Sequence, residues 1–506
     1  MLRGFTVYDI FKRNAMLHGS RTALVSGNRR LSFSELFNRV NALADGLAAK
    51  GISPGDRVGV LALNHEEFFY LFGAVSALGA ILTPINWRLS TEEIQYILKD
   101  SKPSLLMVDR NQEERAREIS GTGAAGISAD KIHGLKNDCR FFPGIEKLMK
   151  GGQSFPPAEI SSDDAFCIIY TAAVEGRPRG ATLSHRNIIA GNLQTIAAWH
   201  LTKDDACLNV LPLFHITGLN LCMSVLHAGG KNVVMEKFDT KTALELTQEE
   251  KISVMGSFSP IMSRLLEGIK NGSYDTSSLK NLTGLEQPDV IKEFQEKTGS
   301  TFWPLYGQSE TSGTITLAPF NERPGSAGNP GFLSEIALVD ENDKPVPTGE
   351  AGEIVVRGPM VFTGYWQQKE LNRRTFRNNW HHTGDMGKFD KDGYLWFAGR
   401  KPEKELIKPG GENVYPAEVE EVIREHPDIE SVSVIGVPDP EFGEGIKAVC
   451  VLRKGKTMEA KELINFVAGK IARYKKPRYV EFVEALPFSS TGAVDRVKVK
   501  ELYGKE

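Results

Sequence analysis

Residues 170–187 read YTAAVEGRPRGATLSHRN and pose the first chemical question of this chain. The apolar run DAFCIIYT precedes them, Gly176 and Gly180 punctuate the middle, and LSHRNIIAGNL has the look of a helix start. A strand, a glycine-rich turn and a helix together aim backbone N–H groups and a positive helix end at an anion. Arg177 and Arg179 add positive charge to that turn. Ordinary surface turns also hold two glycines, so the segment alone leaves both readings open. From Thr171 to Gly180 only Thr171 carries a hydroxyl. Each hydrogen bond to a charged phosphate is worth about 1.5–3 kcal/mol, so a loop this poor in hydroxyls grips phosphate weakly through side chains. Glu175 would repel a phosphate unless a metal stood between them.

The elements that must hold such a loop alternate between strand and helix patterns. RVGVLAL, SLLMV, CLNVLP, KNVVM and SVMGSF are short apolar strands. In the segment before RVGVLAL, Leu36, Val40, Leu43 and Leu47 share one helical face and Gly51 stops the helix. The alternation predicts an α/β fold with layered, mostly parallel sheets. Residues 68–85 are uncharged throughout, at the lower edge of a membrane span, but Gly73, Gly79 and Pro84 favour a buried core helix. Beyond Ala337, strands joined by Asp, Gly and Pro turns predict a small β-barrel subdomain. After Arg400 comes a charged linker, then a compact α+β unit with AEVEEVIREHP and MEAKELINFVAGKIARYKKP as its helices. The expected division is a large domain at 1–399, a linker at 400–408 and a small domain at 409–506.

A length of 506 residues exceeds one ordinary domain, and the net charge of −3 offers no basic face for nucleic acid. Five cysteines without a CxxC pair fit reduced thiols rather than a disulfide frame or a zinc site. No secretory leader is evident, and a cytoplasmic protein without a membrane span is expected.

Seven short motifs follow in order: YTAAVEGRPRG, LPLFHITG, YGQSET, HHTGD, DGYLWFAGRK, KPGGENVYPAEVEEV and LPFSSTGAVDR. In order and spacing they resemble the adenylate-forming superfamily of acyl-CoA synthetases, luciferases and peptide-synthetase adenylation domains, over nearly the whole chain. The similarity is greatest to bacterial acyl-CoA ligases. The resemblance implies a carboxylic acid, ATP and coenzyme A as substrates, Mg²⁺ as cofactor, and a small C-terminal domain that swings between adenylation and thioester formation. A homodimer is compatible with it.

The same resemblance assigns roles residue by residue. Thr171, Gly176, Arg177, Arg179 and Gly180 form the phosphate loop. Tyr306 meets adenine, Gly307 belongs to the nucleotide site, Ser309 meets the phosphates, and Glu310 binds Mg²⁺ and serves catalysis. Asp385 takes the ribose hydroxyls, and Arg400 sits by the ribose and α-phosphate. His215 belongs at the acyl pocket, although a lone histidine after an apolar strand also suits a packed core. Gly284 stands at the acyl and adenine wall, where Leu285, Glu286 and Gln287 replace the usual small residues. Glu286 there either faces solvent or alters substrate polarity. Gly410 and Gly411 line the pantetheine channel, and Glu403 is the hinge, with Lys404 and Glu405 as neighbours.

Two departures stand out: the hydroxyl-poor loop, and Ala493 at the position of the family's C-terminal lysine. Losing one such charge-stabilising donor costs about 10²–10³ in rate. Lys498 and Lys500 are the nearest substitutes. Two other functions stay in view, the first of them favoured by the departures. One is an adenylation-impaired relative that binds acyl-CoA or nucleotide for regulation; the other is an enzyme that loads a carrier protein.

Overall fold

The computed structural model describes residues 4–123, 125–150, 156–171, 177–401, 406–488 and 494–504. Among them, two seven-stranded sheets carry the large domain. The first runs Thr301–Pro304, Asn281–Leu285, Val254–Phe258, Ala206–Asn209, Lys231–Val234, Thr22–Ser26 and Arg29–Ser32. All its pairings are parallel except the closing hairpin, Thr22–Ser26 with Arg29–Ser32. The second centres on Ala165–Thr171, Ile81–Ile85, Arg57–Leu61 and Leu105–Val108, again parallel. Strands buried on both faces explain why LLMV reads as an unbroken apolar run.

The helix Phe33–Ala49 shows how local sequence sets these layers. Ser32 caps it by accepting from the Glu35 N–H, Glu35 answers the cap, and Leu36, Val40, Leu43 and Leu47 are buried. The uncharged stretch at 68–85 divides into the wholly buried helix Glu67–Leu78 and the strand Ile81–Ile85. No described helix is long and apolar enough to cross a membrane. Among the described residues the five cysteines are free thiols, four of them buried.

The phosphate-loop segment departs from expectation. Ala165–Thr171 does not turn directly into a helix; it pairs antiparallel with a second strand, Arg179–Ser184, with Thr171 opposite Arg179 and Tyr170 opposite Gly180. The helix His185–Trp199 begins only after that strand, capped by Ser184, so its positive end lies at the far end of the hairpin from the loop. RGATLS was read as turn and helix start because glycine and arginine mask its strand character. Its buried middle, Gly180 to Ser184, sits between Ala165–Thr171 and Gly364–Tyr365.

The strand-rich segment beyond Ala337 takes the form of a five-stranded antiparallel sheet among the described residues, built on Gly352–Arg357 and Trp380–Phe389. Leu395–Arg400 pairs with Trp380–Phe389 and sets Asp385 opposite Arg400. The small domain has the sheet Ile429–Asp439, Gly443–Leu452, Tyr479–Phe482, with helices Pro416–Arg424, Ala460–Ala468 and Arg496–Tyr503. Its second predicted helix is shorter than expected. It ends at Ala468, before Gly469, and the chain re-forms only a 3₁₀ turn at Arg473–Lys475.

Candidate active site

Register places the first two functional side chains. Because Asp385 faces Arg400 across the sheet, the Arg400 Nε lies 3.2 Å from Asp385 Oδ1. The other carboxylate oxygen accepts from the Tyr306 hydroxyl at 3.2 Å and from Gln308 Nε2 at 2.8 Å. Tyr306 is buried, and burial together with the Asp385 charge pushes its phenol well above the usual range, so it stays a neutral donor. Phe397 lies 6.3 Å from the Tyr306 ring and 5.3 Å from the Arg400 guanidinium. Together they border a cleft of about 1070 Å³ whose other walls include Leu285, Lys408 and Lys500.

A smaller cavity continues from this cleft, sharing Asp385, Arg400 and Lys408 with it and adding Thr171, Arg179 and Glu310. Glu310 sits in the 3₁₀ turn Ser309–Thr311, and one carboxylate oxygen accepts from the Tyr365 hydroxyl at 2.8 Å. Gly307 pairs with Thr314 and leads into that turn. The Thr171 hydroxyl donates to the Arg179 carbonyl at 3.4 Å, closing the mouth of the hairpin. The Arg177 guanidinium lies over the Tyr96 ring at 5.8 Å. A flat ring wall, a two-oxygen acceptor, guanidinium groups and a carboxylate thus follow one another along a single channel.

Gly284 stands behind the wall that Leu285 presents. Its φ is +148°, and a Cβ there would meet the Ser257 carbonyl at 1.6 Å, so only glycine fits the paired strands. Glu286 takes neither of its expected places. It accepts from the Ser257 hydroxyl at 2.6 Å and from the Met262 N–H at 3.2 Å, tying itself to the start of the helix Ile261–Asn271.

His215 caps the helix Ile216–Ala228, its Nδ1 accepting from the Thr217 N–H at 3.3 Å. It is both packed and pocket-lining: burial lowers its pKa, and its ring borders a third cavity with Trp87, Phe258, Gly410, Gly411 and Phe442. Gly411 has φ +85°, and an added Cβ would come within 2.7 Å of the Phe258 ring. Thr217, Asn220, Trp199 and Thr283 line a separate cavity of about 10 Å³, room for a single water, and Trp303 lies 6.0 Å from Trp199.

The small domain is held against this site by polar contacts. Lys475, fully buried, bonds both Glu93 of the large domain and Glu418 of its own. Arg88 pairs with Glu412, and the Ser259 hydroxyl donates to the Glu441 carbonyl at 3.0 Å. Of the remaining sequence assignments, Gly176, Glu403 (with Lys404 and Glu405) and Ala493 lie outside the described residues. Lys498 pairs with Asp495 at 3.7 Å, whereas Lys500 borders the large cleft. Gln308, Tyr365, Phe397 and Lys408 escaped the sequence reading. Gln308 falls inside YGQSET, two residues from both Tyr306 and Glu310, and that spacing was the available signal.

Among the described residues no group of three or more His, Cys, Asp or Glu could hold a metal ion by itself. Glu310 with substrate oxygens and water suits Mg²⁺, which is bound by one or two carboxylates plus phosphates rather than by a protein cage.

Comparison with known proteins bears on this arrangement. The family model described as "AMP-binding enzyme" matches residues 11–366, and "AMP-binding enzyme C-terminal domain" matches 418–493. A feruloyl-CoA synthase from Amycolatopsis sp is 32% identical over 499 residues, covering 97% of this chain and 98% of that protein. An indoleacetate–CoA ligase from Aromatoleum aromaticum is 32% identical over 504 residues, with 98% and 97% covered. A solved structure of a double mutant of o-succinylbenzoate CoA synthetase from Bacillus subtilis superposes with a TM-score of 0.85 at 27% identity, covering 98% of each chain.

Proposed function

This chain belongs to the AMP-binding enzyme family and is an AMP-forming acid–thiol ligase, and we propose that it joins an aryl-bearing carboxylic acid to coenzyme A. The observation that carries the reading is the convergence of Tyr306, Asp385, Arg400 and Glu310 on one continuous channel. Relatives named for ferulate, indoleacetate and succinylbenzoate support an acid with an aromatic ring.

In this reading adenine lies against Tyr306 and Leu285, and the ribose diol donates to Asp385. Tyr306, Gln308 and Arg400 preset that carboxylate, so it need not reorganise when nucleotide arrives. Arg400 and Arg179 face the phosphates, with Thr171 and Ser309 as hydroxyl donors. The substrate carboxylate attacks the α-phosphorus, the bond to the β-phosphate oxygen breaks, and pyrophosphate departs. Mg²⁺ at Glu310 would neutralise charge building on the departing pyrophosphate. The thiol of coenzyme A then enters past Gly410 and Gly411, beside His215 and Phe258, attacks the acyl carbon and releases AMP. Glycines on that path let the thiol's arm pass close to backbone. The division into residues 1–399, 400–408 and 409–506, with Glu403 as hinge, belongs to this proposal. So does a cytoplasmic setting.

The test is AMP release from ATP, Mg²⁺ and coenzyme A with a panel of ferulate, indoleacetate, 2-succinylbenzoate, benzoate and hexanoate. Acyl-CoA and AMP in equal amounts from an aromatic acid is the expected result. AMP from hexanoate alone would sink the aryl assignment. Binding of nucleotide without turnover of any acid, in this chain and in Ala493→Lys alike, would favour a regulatory binder instead.

A further inference from the structure

Asp385 reaches the cleft because its strand leaves the ladder just before it. In the pairing of Gly352–Arg357 with Trp380–Phe389, Val355 faces His382 and Glu353 faces Met386. Between those pairs the first strand has Ile354 alone, whereas the second has Thr383, Gly384 and Asp385. The surplus forms a β-bulge, which bends the strand and re-aims a side chain. Gly384 takes φ +71° inside it, in the region that favours glycine. A bulge also takes backbone groups out of the ladder, and those that are buried must find other partners.

For Gly384 the partners come from two residues that also bond each other. Its N–H donates to one Glu353 carboxylate oxygen at 3.0 Å, and its carbonyl accepts from the Lys401 N–H at 3.0 Å. The Lys401 ammonium closes the ring by donating to the other Glu353 oxygen at 2.7 Å. Gly384 precedes Asp385 and Lys401 follows Arg400, so the ring fixes the backbone beside both members of the Asp385–Arg400 pair. Glu353 itself is buried and lines neither the large cleft nor the inner cavity. The ring needs an acceptor with two oxygens. A glutamine amide that accepts from Gly384 would turn its own N–H groups toward the ammonium of Lys401.

We propose that Glu353 is a positioning residue of the nucleotide site. It touches no nucleotide. It holds the bulge that aims Asp385 and ties that bulge to the residue after Arg400, so the ribose acceptor and its guanidinium neighbour keep one geometry. The inference rests on the reading in which the ribose diol donates to Asp385. It adds that this pair is aimed from behind by a buried carboxylate outside the seven motifs.

The test compares AMP with 2′,3′-dideoxy-AMP, which lacks both ribose hydroxyls, by calorimetry on the full chain. Glu353→Gln is expected to weaken AMP about 5–20-fold and to leave the dideoxy nucleotide within about twofold. General loosening of the fold would weaken both alike. Lys401→Met should weaken AMP about 3–10-fold with the same discrimination. Combining the two substitutions should cost less than about twofold beyond Glu353→Gln alone, because one ring is broken either way. Equal loss on both nucleotides, or unchanged AMP affinity in Glu353→Gln, would overturn the role, and so would losses that add in full. If Glu353→Gln does not fold, Lys401→Met carries the same comparison, and unchanged AMP affinity or equal loss there overturns the role. Asp385→Ala tells the two levels apart. AMP affinity unchanged in that variant would refute the ribose reading itself. AMP affinity lost in Asp385→Ala but kept in Glu353→Gln would refute the positioning role alone.

Discussion

The nucleotide end of the channel and its thiol end are built by different means. Around Asp385, Tyr306 and Gln308 of the large domain and Arg400, the first residue of the linker, hold the carboxylate, and strand register sets two of the four residues opposite each other. Glu353 supports the same sheet by accepting from the Gly384 N–H, from Lys401 and from His382. Burial works against its charge, but those donors win and hold its carboxyl at about 2. At the thiol end the walls belong to two domains, and charged side chains span the gap. Burial there pushes Glu418 up to about 7 even beside Lys475, which must serve Glu93 as well. At the nucleotide end the Asp385 carboxylate is preset without the small domain, which adds Lys500 to the cleft wall. The other exists only while two bodies meet.

The largest effect that would break this contrast is at Asp385. Asp385→Ala removes the acceptor for two ribose donors, and charge-assisted bonds of about 1.5–3 kcal/mol each predict a loss of about 10³-fold in AMP affinity, measured by calorimetry. A loss below tenfold would mean the nucleotide end is not organised around this carboxylate. Next comes Lys475→Met, which strands Glu93 and Glu418 as buried carboxylates. Breaking a buried pair costs about 3–5 kcal/mol, so thermal unfolding should shift strongly downward while AMP affinity in the large domain holds. Equal damage to both would show that the ends are not independent.

Gly411→Val acts on the thiol end alone. A side chain at φ +85° carries about 1–3 kcal/mol of backbone strain, and here it also meets Phe258. Conversion of acyl-AMP to acyl-CoA should fall about 10–100-fold, with ATP–pyrophosphate exchange retained. The smallest effect is a pH dependence. Glu418 has a folded pKa above its unfolded one, so its contribution is fully present below about pH 4.5 and fades as pH rises through about 7. Melting temperatures compared at pH 6 and pH 8 should show this loss in the unaltered protein and a reduced slope in Glu418→Gln. Glu353 predicts the opposite dependence. Its stabilisation is present above about pH 4.5 and disappears as pH falls through about 2.

Much of the large domain was legible because its strands carry their burial openly. LLMV and the helix with Leu36, Val40, Leu43 and Leu47 follow directly from apolar spacing. Family motifs located Tyr306, Glu310, Asp385 and Arg400, but the reason Asp385 and Arg400 meet is strand register, which no short motif displays. The hairpin after Thr171 stayed hidden because arginine and glycine at 179 and 180 look like turn chemistry even when paired in a sheet. Glu286 looked like a pocket residue by position, and only the fold reveals the helix start that it caps. Lys408 was missed for a related reason. A lysine in a charged linker reads as solvated until the cavities on both its sides are known.

The hairpin has an outcome for how this chain could diversify. Thr171 pairs with Arg179, so the residues between them are flanked on both sides by strands fixed in the second seven-stranded sheet. A connection between two fixed strands can be exchanged as a cassette, much as antibody loops are grafted onto an unchanged framework. Its hydroxyl-poor sequence therefore reads as a local edit, made without touching the beams that bear the rest of the channel.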